Sequence, residues 1–195
     1  PRAVFIVGTP VVAINNDDVS SIILELEEEV SAKLIWIDTD GFKTKAAING
    51  YDIVAHALLK YVVEPANKGE KDSFVNLISF SEKEQDLKRI TDLLAALNLE
   101  WNLIPQYGSY DNIANAAKAA GSIVLNEDEG GYFADILEEE CGVSHIKAEL
   151  PVGSAGTRRF IRLITSIFHL PDAGQYEKMG QELAKPYIGK KILRG

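Results

Sequence analysis

The sequence predicts an α/β protein: a doubly wound parallel sheet, Rossmann-like, in three αβα layers. Two observations carry that expectation. Short apolar runs alternate with amphipathic helical patterns along most of the chain, the rhythm of a parallel sheet wound with crossover helices. Apolar residues make up 46% of the 195 residues, enough to fill a buried core.

The elements follow in order. Ala3–Val7 is a continuous apolar run, as expected for a strand buried on both faces. Asp17 or Asp18 caps the helix that comes next. Val19, Ile22, Ile23, Leu26 and Val30 fall on one face of it. Glu27, Glu28 and Glu29 lie on or beside the other face and read as solvated charge rather than as an acidic site. Lys33–Ile37 is the second strand, and the turn DTDGF follows, with Gly41 supplying backbone freedom. A helix over 48–63 buries Tyr51, Val54, Ala55, Leu58, Leu59 and Val62. Residues 65–72, PANKGEKD, are the one linker-like stretch by composition.

A second block opens at Ser73. Strands are expected at 74–78, 101–104 and 122–125, lying side by side and parallel. Ser81 and Glu84 form an S-x-x-E capping box, and Leu87, Ile90, Leu94 and Leu97 give the helix after it a buried face. Residues 112–120 read as a small-residue helix and 132–140 as another. A helix over 153–168 carries Phe160, Leu163, Ile164 and Ile167 on one side, and a last helix spans 173–187. The expected organisation is a first β/α block at 1–64, a Rossmann-like block at 73–150 and C-terminal helices at 151–195.

Composition removes several function classes. A net charge of −9 argues against nucleic acid, because phosphate binding needs a basic surface. No apolar run approaches the roughly 20 residues that span a bilayer, and no signal peptide pattern is present, so localisation reads as cytoplasmic by default. One cysteine allows neither an internal disulfide nor a multi-thiolate metal site.

Chemistry-bearing residues are sparse. Cys141 follows three glutamates, which disfavour its ionisation, and a structural role is expected. His56, His145 and His169 are isolated. His56 is expected to be partly buried, and His169 sits at a helix C-terminus, where a cation is favoured. Gly130-Gly131 and Gly153-x-x-Gly156 match no Walker or dinucleotide fingerprint. An anion on the helix start at Gly153, with Arg158 and Arg159 following, competes there with a plain helix start capped by Thr157. The remaining candidate is a place. Ligands of open parallel sheets bind beyond the carboxyl ends of the strands. Those ends present Thr9 and Pro10, Phe80 and Ser81, Gln106 and Tyr107, and Asn126, with Gly41 and Gly153 nearby. No catalytic base and no metal ligand stands out.

Four stretches carry a resemblance. VGTPVVAINNDDV resembles a strand-loop-helix segment in which a Thr-Cys pair precedes Ile-Gly-Asp-Asp. WIDTDGFKTKAAINGYD is similar to a Gly-Phe segment leading into a Gly-Tyr-Asp or Gly-His-His helix start. FVNLISFSEKEQDLKRITDLLAALNLEWNLIP looks like the strand-helix-strand opening a middle domain. LPVGSAGTRRFIRLITSIFHLP resembles a Pro-Ile-Gly motif before a Thr-x-x-Phe-Leu helix. In this order they resemble the segments of nitrogenase component 1-type oxidoreductase subunits, a family that includes the nitrogenase MoFe protein and nitrogenase-like protochlorophyllide or tetrapyrrole reductases. The resemblance implies the central portion of such a subunit. It also implies a homologous component 1 subunit as partner, in a homo- or hetero-oligomer, and an ATP-dependent iron–sulfur reductase as electron donor.

The departures bear on chemistry. The family's cluster cysteine aligns near Thr9 or Pro10, a histidine of some members near Tyr51, and the cysteine holding the large cofactor near Asn126. None of these ligands is present. The expectation is therefore no cofactor in this chain alone, with an iron–sulfur cluster possible only in the full-length protein or its complex. The implied function is an oxidoreductase domain binding a metallocofactor or tetrapyrrole-type substrate. The rival is a non-catalytic cofactor-assembly scaffold or partner-binding α/β domain, and a third reading is an ordinary nucleotide- or sugar-binding domain. The chain begins at Pro1 and closes on KKILRG, which reads like an opening strand, so it is expected to be a piece of a longer protein. Tyr176, Met179, Leu183 and Tyr187 on the last helix, with Ile192-Leu193, are expected to need cover and to drive self-association.

Overall fold

The computed structural model describes residues 1–39, 48–66, 69, 71–170 and 178, with the side chains of 48 and 49 outside the description. Gly41, the helix expected at 173–187 and Ile192-Leu193 lie outside the described residues.

Two parallel sheets organise the fold. The smaller pairs β1 (Ala3–Val7) with β2 (Lys33–Ile37). Between them run α1 (Pro10–Asn15) and α2 (Val19–Glu27), and α3 (Ile48–Tyr61) follows β2. The larger sheet has the order β4-β3-β5-β6, from β3 (Phe74–Ser79), β4 (Glu100–Pro105), β5 (Gly121–Val124) and β6 (His145–Lys147). Its helices are α4 (Glu84–Ala96), α5 (Tyr110–Ala114), α6 (Glu127–Cys141) and α7 (Gly153–Ile167). The three expected strands do lie side by side and parallel, with β3 between β4 and β5.

Alternation along β3 sets the two faces. Val75 and Leu77 join the leucines of α4 and Phe160, Ile161 and Ile164 of α7. Ile78 points the other way, into a cluster with Phe133, Ala134 and Leu137 of α6 and Ala55, Leu58 and Val62 around α3. Ile35 and Ile37 of β2 belong to that second cluster, so the blocks 1–64 and 73–150 share one core. Opposite crossover directions explain the division: a right-handed connection from β3 to β4 lays α4 on one face, and one from β5 to β6 lays α6 on the other.

A polar seam crosses the sheet at one level. Asn76 is fully buried and is paired in register with Asn102 on one side and Ser122 on the other. Asn76 Nδ2 donates to Ala116 O at 2.9 Å and Ser122 Oγ at 3.2 Å, and Asn102 Nδ2 donates to Asn76 Oδ1 at 3.1 Å. Buried amides must be paired, and this seam ties the β4–β5 crossover to the sheet.

Several expectations are corrected. Ala3–Val7 is not buried on both faces; alternation puts Val4 on one face and Phe5 and Val7 on the other, and all three are exposed. The loop expected after β1 contains α1, started by Pro10 and N-capped by Thr9. Of the expected apolar face of α2 only Ile23 is buried. The Ser81–Glu84 capping box does not form: α4 starts from Lys83 without a side-chain cap, and Ser81 turns away to Glu129. A capping box does occur at Ser109 and Asn112, before α5. The helix expected at 112–120 is split into α5 and a 3-10 turn, Ala116–Lys118. Thr157 caps nothing; it lies inside α7 with its hydroxyl donating to Gly153 O at 2.8 Å. His56 is exposed rather than partly buried, with Nδ1 3.1 Å from the Tyr132 hydroxyl. Lys71, in the expected linker, donates to Ala117 O in the 3-10 turn and to Cys141 O at the end of α6.

Gly130 and Gly131 form no phosphate loop. Both are buried in α6. A Cβ on Gly130 would stand 2.9 Å from Ile78 Cγ2 and 3.3 Å from Val124 Cγ1. The residue therefore sets how closely α6 approaches β3 and β5.

Candidate functional site at the carboxyl edge of the sheet

The connection from β3 runs outward to β4, whereas that from β5 runs outward to β6. This reversal is the topological switch point of the sheet, the place where open α/β domains leave a crevice for ligands. Residues following β3 and β5 border it, and Gln106 follows β4 beside them.

Short polar bonds knit these loops together. Ser79 Oγ, at the last position of β3, donates to Glu82 Oε2 at 2.6 Å and lies 3.1 Å from Gln106 Oε1. Gln106 N donates to Ser79 O at 3.2 Å. Ser81 Oγ donates to Glu129 Oε2 at 2.6 Å, joining the loop after β3 to the first turn of α6. Asn126 Oδ1 accepts from Asp128 N at 3.2 Å and so caps α6. Ser81, Gln106 and Asn126 thus lie along one edge. Tyr51, at the start of α3, meets Phe80 edge to face at 5.6 Å between centroids, which brings the carboxyl side of the smaller sheet toward the same edge.

The other candidates stand apart. Thr9 belongs to the smaller sheet, where its hydroxyl caps α1 and Thr39 Oγ1 donates to the neighbouring Gly8 O at 2.6 Å. Gly153 opens α7 after β6 with φ of 65°, a left-handed backbone that glycine adopts without strain. Arg159 pairs with Glu149, near that helix start. Sequence reasoning missed Glu82, Glu129 and Ser79. The S-x-x-E pattern at 81–84 marked the right loop but the wrong partner. A cleft of about 360 Å³ was also missed; it lies near the opposite, amino edge of the sheet, between Phe74 and Glu100 and the α5 side, with Asn112 and Lys118.

The donor set does not fit an iron–sulfur group. The edge offers hydroxyl, amide and carboxylate oxygens, whereas such clusters take thiolates, and imidazole in some types. The lone cysteine ends α6 and Asn126 caps its start; 15 helical residues separate them by roughly 20 Å. His145 opens β6 opposite Ser122, again at the amino edge, where its Nε2 lies 3.4 Å from Asp135 and its Nδ1 2.7 Å from Glu138, the latter not aligned as a hydrogen bond. Among the described residues no group of three or more His, Cys, Asp or Glu is placed to hold a metal ion.

The profile described as nitrogenase component 1 type oxidoreductase matches residues 1–192. The chain belongs to that family. It is 25% identical over 203 residues to the nitrogenase iron-iron protein beta chain of Rhodobacter capsulatus, covering 91% of this chain and 43% of that one. It is 24% identical to the nitrogenase iron-molybdenum cofactor biosynthesis protein NifE of Methanococcus maripaludis, covering 86% and 35%. It is 26% identical to one of the subunits of the light-independent protochlorophyllide reductase of Rippkaea orientalis, covering 93% and 38%. The solved structure of nitrogenase Cp1 at pH 6.5 superposes with a TM-score of 0.81 at 20% identity, over 96% of this chain and 36% of that one. The component 1 chain therefore spans about two-fifths of its relatives' length, and its fold is theirs. No helix among the described residues is long and apolar enough to cross a membrane.

Proposed function

We propose that this chain is the central α/β portion of a component 1-type oxidoreductase subunit and forms one wall of a ligand pocket at the carboxyl edge of its larger sheet. The observation that carries the reading is the switch point bordered by Ser81, Gln106 and Asn126. The ligand is a tetrapyrrole-type substrate or a cofactor whose metal ligands come from another part of the polypeptide or from a homologous partner subunit. Electrons reach the assembled protein from an ATP-dependent iron–sulfur reductase. A non-catalytic cofactor-assembly scaffold is the second reading, favoured by the departures at Thr9, Tyr51 and Asn126 and by the likeness to a cofactor biosynthesis protein.

Anaerobic purification of the full-length protein, with iron quantification and a reductase-coupled assay, separates the two. Bound iron that turns over with reductase and ATP supports the oxidoreductase; a ligand that is bound and released unreduced supports the scaffold. Ser81→Ala, Gln106→Ala and Asn126→Ala are expected to weaken ligand binding in either case. Unchanged binding in all three would remove the carboxyl edge as the site.

A further inference from the structure

The cleft of about 360 Å³ between β4 and α5 has no part in the pocket proposed above. It runs beside a free strand edge. β4 is the outer strand of its sheet and pairs only with β3 among the described strands. Gln106 N donates to Ser79 O, so alternation turns the backbone groups of Asn102 and Ile104 toward β3 and those of Trp101, Leu103 and Pro105 outward. The second half of that outer edge is closed. Pro105 has no N–H, and its carbonyl accepts from Gly108 N at 3.2 Å. Gly108 lies so close over Leu103 O that a side chain there would collide with it. Trp101 is left with an outward N–H and C=O, and of the outward-turned residues it is the one that lines the cleft.

The walls around this pair are fixed by their own bonds. Asn102, 5% exposed, faces the α5 side together with Glu100 and its register partner Phe74. Its amide donates to Asn76 Oδ1 and Asn112 O and accepts from Asn112 Nδ2. Lys118 Nζ donates to Asn115 Oδ1 at 2.7 Å. Leu103 packs into the cluster of α4 and α7, so Trp101 carries its indole on that same side and brings its backbone to the cleft. Three things remain open to a guest. The Trp101 N–H and C=O form a donor and an acceptor side by side. The carboxylates of Asp72 and Glu100 have no partner among the described residues and accept further donors. The partly buried ring of Phe74 gives a flat apolar surface.

The geometry points to this cleft as a binding site for a small planar amino-substituted nitrogen heterocycle, docked on the free backbone edge of Trp101. A ring nitrogen of the guest accepts from the Trp101 N–H, and the amino group beside it donates to the Trp101 C=O. The guest's plane lies against Phe74. A cleft of this volume is at the small end of ligand pockets, which suits a single base-sized ring system. The site is independent of the carboxyl edge and stands or falls without it.

Adenine and hypoxanthine provide the test, since they share one ring system and differ in carrying an amino group or a carbonyl beside the ring nitrogen. Each is dialysed to equilibrium against the full-length protein. The mismatch of one hydrogen bond predicts roughly tenfold tighter binding of adenine. Trp101→Pro deletes the N–H and leaves the ladder intact, because that N–H faces away from β3. Trp101→Val deletes the indole and keeps the N–H. Adenine should bind the proline variant roughly tenfold more weakly than the valine variant. Phe74→Leu keeps an apolar residue against the core and removes the flat ring, and should weaken adenine several-fold; it carries the test should circular dichroism show Trp101→Pro unfolded. Failure of adenine to bind, equal binding of both bases, or adenine binding unchanged in Phe74→Leu and equal in the two Trp101 variants overturns the inference.

Discussion

At the scale of single residues, two positions carry much of the packing. Asn76 serves Ala116 O, Ser122 and Asn102 at once, so replacing it by an apolar residue strands several buried groups together. Asn76→Leu is expected to lower unfolding stability by about 2–4 kcal/mol, read from urea denaturation, because unpaired buried polar groups lose their full desolvation cost. The adjacent glycines of α6 should respond with opposite signs. At Gly130 an added methyl meets Ile78 and Val124, both fully buried side chains with no room to yield, and Gly130→Ala should cost about 1–3 kcal/mol despite better helix propensity. At Gly131 the same methyl meets only Glu127 Cγ at 3.5 Å, and Gly131→Ala should gain up to about 1 kcal/mol. Thermal melts of the two variants check the pair. Both glycines look alike in the sequence; their difference is a matter of which sheet atoms lie above them.

At the scale of elements, caps explain where helices begin. Asp18 caps α2 through the Ser21 hydroxyl at 2.6 Å and the Ser21 N–H at 3.1 Å. Those bonds, the hydroxyl first, hold its carboxyl below the usual carboxylate range. A group whose folded value is lowered contributes stability above its unfolded value and loses it as pH falls through the folded value. The start of α2 should therefore fray only on strong acidification, and Asp18→Asn should remove that acid step; NMR titration of the Ser21 amide reads both. This cap was legible from the sequence. The partner of Ser81 was not, because Ser-x-x-Glu is as compatible with a loop serine reaching across the sheet as with a helix start. What decided it is Glu129, 48 residues away and placed within reach only by the β3–β5 pairing. The proposed edge follows the same division. That Ser81, Gln106 and Asn126 come after strand ends could be read from the β/α rhythm, whereas the Glu82 and Glu129 contacts could not, since nothing local distinguishes them from other surface glutamates.

At the scale of the whole molecule, apolar surface is concentrated in the first block. Phe5, Val7, Val11, Ile14, Ile22 and Leu24 are all exposed, with Ile14 at 70% and Leu24 at 66%. An apolar surface of this extent drives association in water. The isolated chain is expected to self-associate in sedimentation runs, and Val11→Ser/Ile14→Ser to shift it toward monomer; a monomer at high concentration in both forms would remove the idea. The sequence pattern points to apolar cover being needed at the last helix, which lies outside the described residues; in the described part the demand falls on β1, α1 and α2. A strand's apolar run reports how much burial the strand calls for, not whether the chain itself provides it.

By itself the sequence determined the order and type of nearly every element, the parallel character of the main sheet and the family. These depend on local periodicity and on residue identity, which a single chain carries in full. Tertiary structure alone decided the strand order, and with it the switch point between β3 and β5. It also decided that Ser81 answers to Glu129, that Gly130 is a contact and not a loop, and that the cysteine and the strand-edge histidine lie away from the crevice. The physical reason is common to all of them: each depends on contacts between residues tens of positions apart, which packing selects and which no local pattern records.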